Sequence, residues 1–297
     1  MKKVFSLVLA LAMLAVLACS AVAEQPTYHF EIVSKGFQST YWQAVLNGTQ
    51  TRVDELNEEA GYEMITFNFV GPDAESNVAQ QVSQFESAVN AEPDAIGFAA
   101  VDQEAFVDLI AQAQSKNIPI IGFDSGVPNA PEGSIVATAS TNNQNAAALA
   151  AEEMLKLEGF ADALAAGTPE APVVIAVLSQ DATSESVTGR TTGFVNKMYE
   201  LASEYNTVAV QGHDLWAKEA EGAGVIIHVE IAATTEVTDV TNASNAILNL
   251  DGLYAVFCSN EGAVTGFLAA TSGGNDLADG GLYGDLIVAG FDAGAPQ

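Results

Sequence analysis

YHFEIVS at 28–34, YEMITFNFV at 62–70, DAIGFAA at 94–100 and IPIIGF at 118–123 are short apolar runs rich in β-branched and aromatic residues. Between them lie longer stretches, 41–60, 74–90 and 103–116, whose apolar residues recur with helical period. Strands alternating with helices in this way predict βαβ units: a parallel sheet covered on both faces, with right-handed crossovers. The turn chemistry agrees. Gly61 falls just past the first helix, where a left-handed C-cap is wanted, and Gly71-Pro72-Asp73 separates the second strand from its helix.

After the fourth strand a Pro/Gly-rich loop, GVPNAPEGS at 126–134, breaks the pattern and a second series follows. SIVAT (134–138) opens it, an Ala-rich helix covers 143–157, PVVIAVLS (172–179) reads as a buried strand, and 186–205 is again helical. TVAV (207–210), VIIHVEI (225–231), LYAVFCS (253–259) and LIVAGF (286–291) supply further strands, with helices near 237–250 and 262–271. The fold class expected is therefore α/β, as two doubly wound parallel-sheet lobes over 24–133 and 134–297.

The 297 residues are 49% apolar and 16% charged, a globular composition, with 9 Lys+Arg against 38 Asp+Glu. A net charge of −29 repels phosphate backbones and anionic membrane surfaces, so no nucleic-acid partner is expected. Residues 1–23 are of another kind. Lys2 and Lys3 precede the apolar run 4–18, and Ala21-Val22-Ala23 fits a small-x-small cleavage rule, which together read as an export signal. VLAC at 16–19, with its cut before Cys19, also resembles a lipobox. Lipidation at Cys19 tethers the mature protein to the membrane, and cleavage after Ala23 releases it. The other cysteine, Cys258, sits in an apolar strand and is read as a small core hydrophobe.

Open parallel sheets bind ligands beyond the carboxyl ends of their strands. After the first strand stand Phe37, Gln38, Tyr41 and Trp42. Aromatic faces can stack on the C–H face of a sugar ring, although Tyr41 and Trp42 can equally cap and pack the first helix. After the fourth strand come Asp124 and Ser125; no helix follows at once, so Asp124 is better placed as a ligand-facing acceptor than as a cap. Arg190 falls near a helix start, where the dipole disfavours a cation, which implies a specific partner such as a ligand oxygen or Asp292. Asn260 precedes a helix and can serve both as its N-cap and as a ligand contact.

These residues resemble the sugar-binding branch of the type I periplasmic binding proteins, the solute-binding proteins of ABC importers for ribose-, galactose- and xylose-type sugars. SKGFQSTYW, IPIIGFDS, STNNQNAAALAAEE, GRTTGF, FCSNEGAVTG and VAGFDAG carry the resemblance over about 27–294. It implies two lobes joined by a hinge, a sugar or polyol enclosed between them, an importer permease as partner, a monomer, and no cofactor or metal. Phe37 resembles the family's stacking aromatic, Asp124 its hydroxyl-accepting acid, Arg190 its second-lobe arginine, and Asn260 and Asp292 its later polar contacts. Ser125 stands where ribose-type members carry arginine, and Ala99 and Glu261 also depart, so a sugar other than ribose, a polyol or a sugar-like compound is expected. The resemblance further implies elements beyond Gln297 that cross back to the first lobe. The stretch 211–224 has no family counterpart, and its Trp216 reads equally as a second stacking ring or as core. A sensor kinase or chemoreceptor could take the importer's place.

An enzyme is not expected. His29, His213 and His228 lack metal spacing, and there is no nucleophile elbow, P-loop or dinucleotide fingerprint. GGNDLADGG (273–281) lacks the first Asp and last Glu of a calcium loop and reads as a solvated turn. Asp124 and Asp292 as a glycosidase acid pair is the alternative of another class.

Overall fold

The computed structural model describes residues 25–294; the predicted export segment 1–23, with Cys19, lies outside them. The first part runs β1 (Tyr28–Val33), α1 (Thr40–Ala60), β2 (Ile65–Val70), α2 (Val78–Asn90), β3 (Ala95–Phe98), α3 (Val107–Ser115), β4 (Ile120–Phe123) and β5 (Ile135–Ala139). The second runs α4 (Asn143–Leu155), α5 (Phe160–Ala166), β6 (Val173–Ser179), α6 (Glu185–Ala202), β7 (Val208–Gln211), β8 (Val225–Ile231), α7 (Val237–Leu248), β9 (Leu253–Cys258), α8 (Glu261–Ala270) and β10 (Ile287–Gly290). Two five-stranded sheets result, ordered β2-β1-β3-β4-β5 and β10-β9-β6-β8-β7, with every pairing parallel. This is the doubly wound α/β architecture expected from the alternating pattern.

The boundary expected at 133/134 is corrected. Residues 135–139 pair with β4, Phe123 opposite Ala139, so SIVAT closes the first sheet rather than opening the second. The loop 126–134 is a connection within one sheet, and the chain passes to the second lobe between Ala139 and Asn143. Two helices begin later than their periodicity suggests. Asn77 caps α2 by accepting from the Gln80 amide, and Asp102 accepts from the amides of Glu104 and Ala105 at 2.8 Å each, winding a turn ahead of α3. The short helix α5 was not anticipated.

The first core gathers around Phe85, Phe98 and Phe106, whose ring centroids lie 4.5 to 5.9 Å apart. In the second, Phe194 of α6 stacks on Phe257 of β9 at 4.2 Å. Each such buried ring contributes about 2 kcal/mol of apolar transfer. Helices α4 and α6 touch at Gly193, where a Cβ would come within 2.2 Å of the Gln144 carbonyl oxygen. Cys258 is fully buried and its thiol is pushed up to about 12 by that burial, the behaviour of a core hydrophobe. The open question over Trp216 closes the same way. Its ring joins the second core, its indole N–H donates to Thr192 Oγ1 at 2.9 Å, and it does not border the cavity described next.

Candidate functional site

A cavity of about 490 Å³ lies where the carboxyl ends of both sheets meet. The first lobe contributes loops after β1 (Lys35 to Trp42), β2 (Asp73 to Glu75) and β4 (Asp124). The second contributes loops after β6 (Gln180, and Ser186 to Arg190 on α6), β8 (Thr235 to Val237), β9 (Asn260 to Gly262) and β10 (Asp292). A smaller space of about 360 Å³ adjoins it and shares Tyr41, Asp124, Arg190 and Asp292.

Of the residues singled out in the sequence, Phe37, Gln38, Tyr41, Trp42, Asp124, Arg190, Asn260 and Asp292 border this cavity, and Ser125 does not. Phe37 is half-buried; the Gln43 side chain holds its loop by donating to the Phe37 carbonyl at 2.6 Å. The Tyr41 hydroxyl donates to Asp124 Oδ1 at 3.2 Å. Trp42 borders the cavity and at the same time supports its wall. It is 2% exposed, packs edge-on against Tyr41 and Phe123, and donates its indole N–H to Glu75 Oε1 at 2.8 Å. Ser125 is corrected, because it lies outside the cavity: it is 1% exposed, and its hydroxyl oxygen accepts from the Ser186 amide of the other lobe at 3.3 Å.

Arg190 has the partner its placement demanded. Its Nη1 donates to Asp292 Oδ2 at 3.2 Å and to the Ser259 carbonyl at 3.3 Å, its Nε donates to Asn143 Oδ1 at 2.9 Å, and its guanidinium lies 4.1 Å from the Phe291 ring centroid. Asp292 Oδ2 also accepts from the Glu261 amide at 3.1 Å, at the start of α8. Asn260 caps that helix through the Ala263 amide at 3.0 Å, while its side-chain amide donates to Gln180 Oε1.

Two charged residues went unnoticed in the sequence. Lys35, 3% exposed, lies 3.6 Å from Glu75 and 3.7 Å from Asp124, and its Nζ donates to Ser186 Oγ across the lobes at 3.2 Å. Burial works against its charge, but attraction to Asp124, then Glu75 and Asp181, outweighs that and holds its pKa above the ordinary lysine value. Burial likewise pushes Glu75 above the usual carboxylate range against the opposing pull of Lys35 and the Trp42 indole. Burial and then Asp124 raise Tyr41. The signal for Lys35 was available: a lysine directly after an apolar strand, in a chain with 9 basic residues.

The tripeptide Gly-Phe-Asp occurs at 122–124 and again at 290–292, each time ending a strand. In both, the aspartate takes a left-handed φ, 54° at Asp124 and 75° at Asp292, a conformation its short polar side chain tolerates better than most. The two lobes thus build their acids by one device. At the rim they touch directly: Thr40 donates to Glu261 Oε1, and the Ser76 amide to Thr235 Oγ1 at 3.1 Å. Among the described residues no group of His, Cys, Asp or Glu side chains is arranged to hold a metal ion, and no helix is long and apolar enough to cross a membrane.

A family model described as periplasmic binding protein domain matches residues 30–297. Among solved structures, an "ABC transporter, LacI family transcriptional regulator" from Brachyspira murdochii is 35% identical, with a TM-score of 0.67 over 91% of this chain and 79% of its own. An ABC transporter solute-binding protein from Agrobacterium vitis with bound D-fucose is 26% identical, with a TM-score of 0.66 over 90% of this chain and 78% of its own. A carbohydrate transporter solute-binding protein from Agrobacterium radiobacter in complex with D-arabinose, 23% identical at a TM-score of 0.65 over 93% of this chain and 78% of its own, shares the fold. No curated protein sequence matches.

Proposed function

The chain belongs to the periplasmic binding protein domain family, and from that membership we propose that it captures a sugar or polyol between its two lobes outside the cytoplasm and delivers it to an ABC importer. The observation that carries this is the cavity at the facing strand ends, where aromatic surface from one lobe meets hydrogen-bonding groups from both. Phe37 and Tyr41 offer apolar ring surface to the C–H face of a sugar. Gln38, Asp124, Arg190, Asn260 and Asp292 offer acceptors and donors to its hydroxyls. Closing the lobes takes these groups out of water, so a ligand lacking one hydroxyl leaves a buried partner unpaired, at about 1 to 3 kcal/mol. Specificity comes from that penalty. Closure is stabilised by ligand only through contacts made in the closed arrangement, and the closed surface is what an importer permease would read. The solved relative with D-fucose supports a monosaccharide of this general size.

A thermal-shift screen of the full chain against pentoses, hexoses, deoxyhexoses, polyols and inositols tests the proposal. At least one should raise the melting midpoint by mass action. No shift across the panel, or conversion of a sugar to product on incubation, rejects it; the second outcome would favour a hydrolase.

A further inference from the structure

Helix α6 starts without its usual help. Ser184 occupies the N-cap position with extended backbone, but among the described residues its hydroxyl makes no capping bond and donates instead to Asp181 Oδ2 at 3.0 Å. The first amides of a helix find no partner within it. The Ser186 amide, in that first turn, finds one in the opposite lobe, donating to Ser125 Oγ at 3.3 Å. The Ser186 hydroxyl accepts from Lys35 Nζ, also of the opposite lobe, at 3.2 Å. Lys35, Ser125 and Ser186 are each 3% exposed or less, so this junction is buried at the edge of the cavity.

We propose that Ser186 is the closure contact of this protein: Ser125 caps α6 in trans while Lys35 grips the same residue, so the first turn of α6 is complete only when the lobes are together. The inference rests on the two-lobe capture described above. Arg190, which reaches Asp292 and Asn143, lies one helical turn beyond Ser186 on the same helix. A single element therefore feels the opposite lobe at its first turn and holds the cavity's arginine at its second. Parting the lobes returns the Ser186 amide and hydroxyl to water and leaves Lys35 with Glu75 and Asp124 alone. Ser125, which does not border the cavity, is a positioning residue in this scheme, acting through Ser186 and the helix that carries Arg190.

The neighbouring seam does not depend on these side chains. The Gln103 amide donates to the Thr183 carbonyl at 3.1 Å, and Thr183 Oγ1 to the Val101 carbonyl at 3.2 Å, so removing the Ser125 hydroxyl leaves other cross-lobe bonds in place.

Amide hydrogen exchange and small-angle X-ray scattering on the full chain, with no sugar added, test the proposal. The Ser186 amide should be protected, unlike a typical first-turn amide, and should exchange about fivefold faster in Ser125→Ala, the ratio expected for one lost hydrogen bond. Ser125→Thr, which keeps the hydroxyl, should restore protection. The double variant Ser125→Ala/Ser186→Ala should show a larger radius of gyration than the parent. Exchange at Ser186 that is equally fast in parent and Ser125→Ala overturns the trans cap. Faster exchange with an unchanged scattering curve overturns the role in closure. If Ser125→Ala melts early, its comparison with Ser125→Thr at matched stability decides the same point. Because no ligand is used, these outcomes stand apart from those of the sugar screen.

Discussion

The Arg190 guanidinium and the Asp292 carboxylate meet at 3.2 Å although 102 positions separate them, and Asp292 spans from there to the first amide of α8. The pair welds the loops after β6, β9 and β10 into one wall of the cavity. Both side chains are largely buried, 8% and 19% exposed, so neither partner is easily spared.

Arg190→Met should lower stability by about 3 kcal/mol, the cost of leaving a buried charge without its partner. Arg190→Met/Asp292→Asn should lose less than the sum of the single changes, because the orphaned carboxylate is gone. Urea denaturation of the four proteins checks this, and simple additivity would show that the pair carries no coupling.

Asp124→Asn should abolish the sugar-induced thermal shift while keeping the fold, since asparagine tolerates the left-handed φ of 54° at this position. Asp124→Ala should also abolish the shift and lose about 1 kcal/mol more stability, because a plain Cβ is strained there. An undiminished shift in Asp124→Asn would remove Asp124 from the binding surface.

Stability should fall as pH rises out of the acid range on account of Glu75. Its pKa in the folded chain is raised above the ordinary 4.5, so the folded state holds the proton that the unfolded chain has released. The contribution is fully present below 4.5 and is lost as pH climbs through the folded value. Glu75→Gln keeps an acceptor for the Trp42 indole but cannot ionise. The difference in denaturation free energy between parent and variant, followed from pH 4 to 7, should therefore change in favour of the variant; a difference independent of pH contradicts the raised carboxyl.

Trp216→Phe should cost about 2 kcal/mol through lost core volume and the lost bond to Thr192, yet leave the affinity for sugar unchanged. Isothermal titration beside a thermal melt separates the two effects. A weakened affinity at unchanged stability would return Trp216 to the ligand.

Anionic sugars should bind poorly. The cavity's cations are already committed, Lys35 to Glu75 and Asp124 and Arg190 to Asp292, while Asp73, Glu236 and Glu261 add further negative charge. For the neutral sugar with the largest thermal shift, the matching uronic acid should bind at least ~10-fold more weakly, about 1.4 kcal/mol. Equal affinities at low salt would show that a cation is free to receive a carboxylate.

The strands were legible because parallel strands buried on both faces must be apolar along their whole length, which leaves runs such as Val173–Ser179 unmistakable. Asp124, Asn260 and Asp292 were legible because each is a polar residue just past such a run, and Arg190 because it is a cation near a helix start, where the dipole disfavours it. Lys35 and Glu75 were passed over, since a single charged residue in a loop looks the same whether it is solvated or enclosed by a second lobe.

Local chemistry in the sequence alone determined the α/β alternation, the two-sheet class and most strand-end residues, because period, capping and turn signals act over a few positions. Tertiary structure alone decided that 135–139 belongs to the first sheet, that Trp42 and Trp216 are covered, and that Ser125 serves the opposite lobe. Those outcomes depend on partners far away in sequence: β4 beside β5, Glu75 beside Trp42, Ser186 beside Ser125. A side chain's exposure and its hydrogen-bond partner are set by what the folded chain brings against it, and that information is absent from its neighbours in sequence.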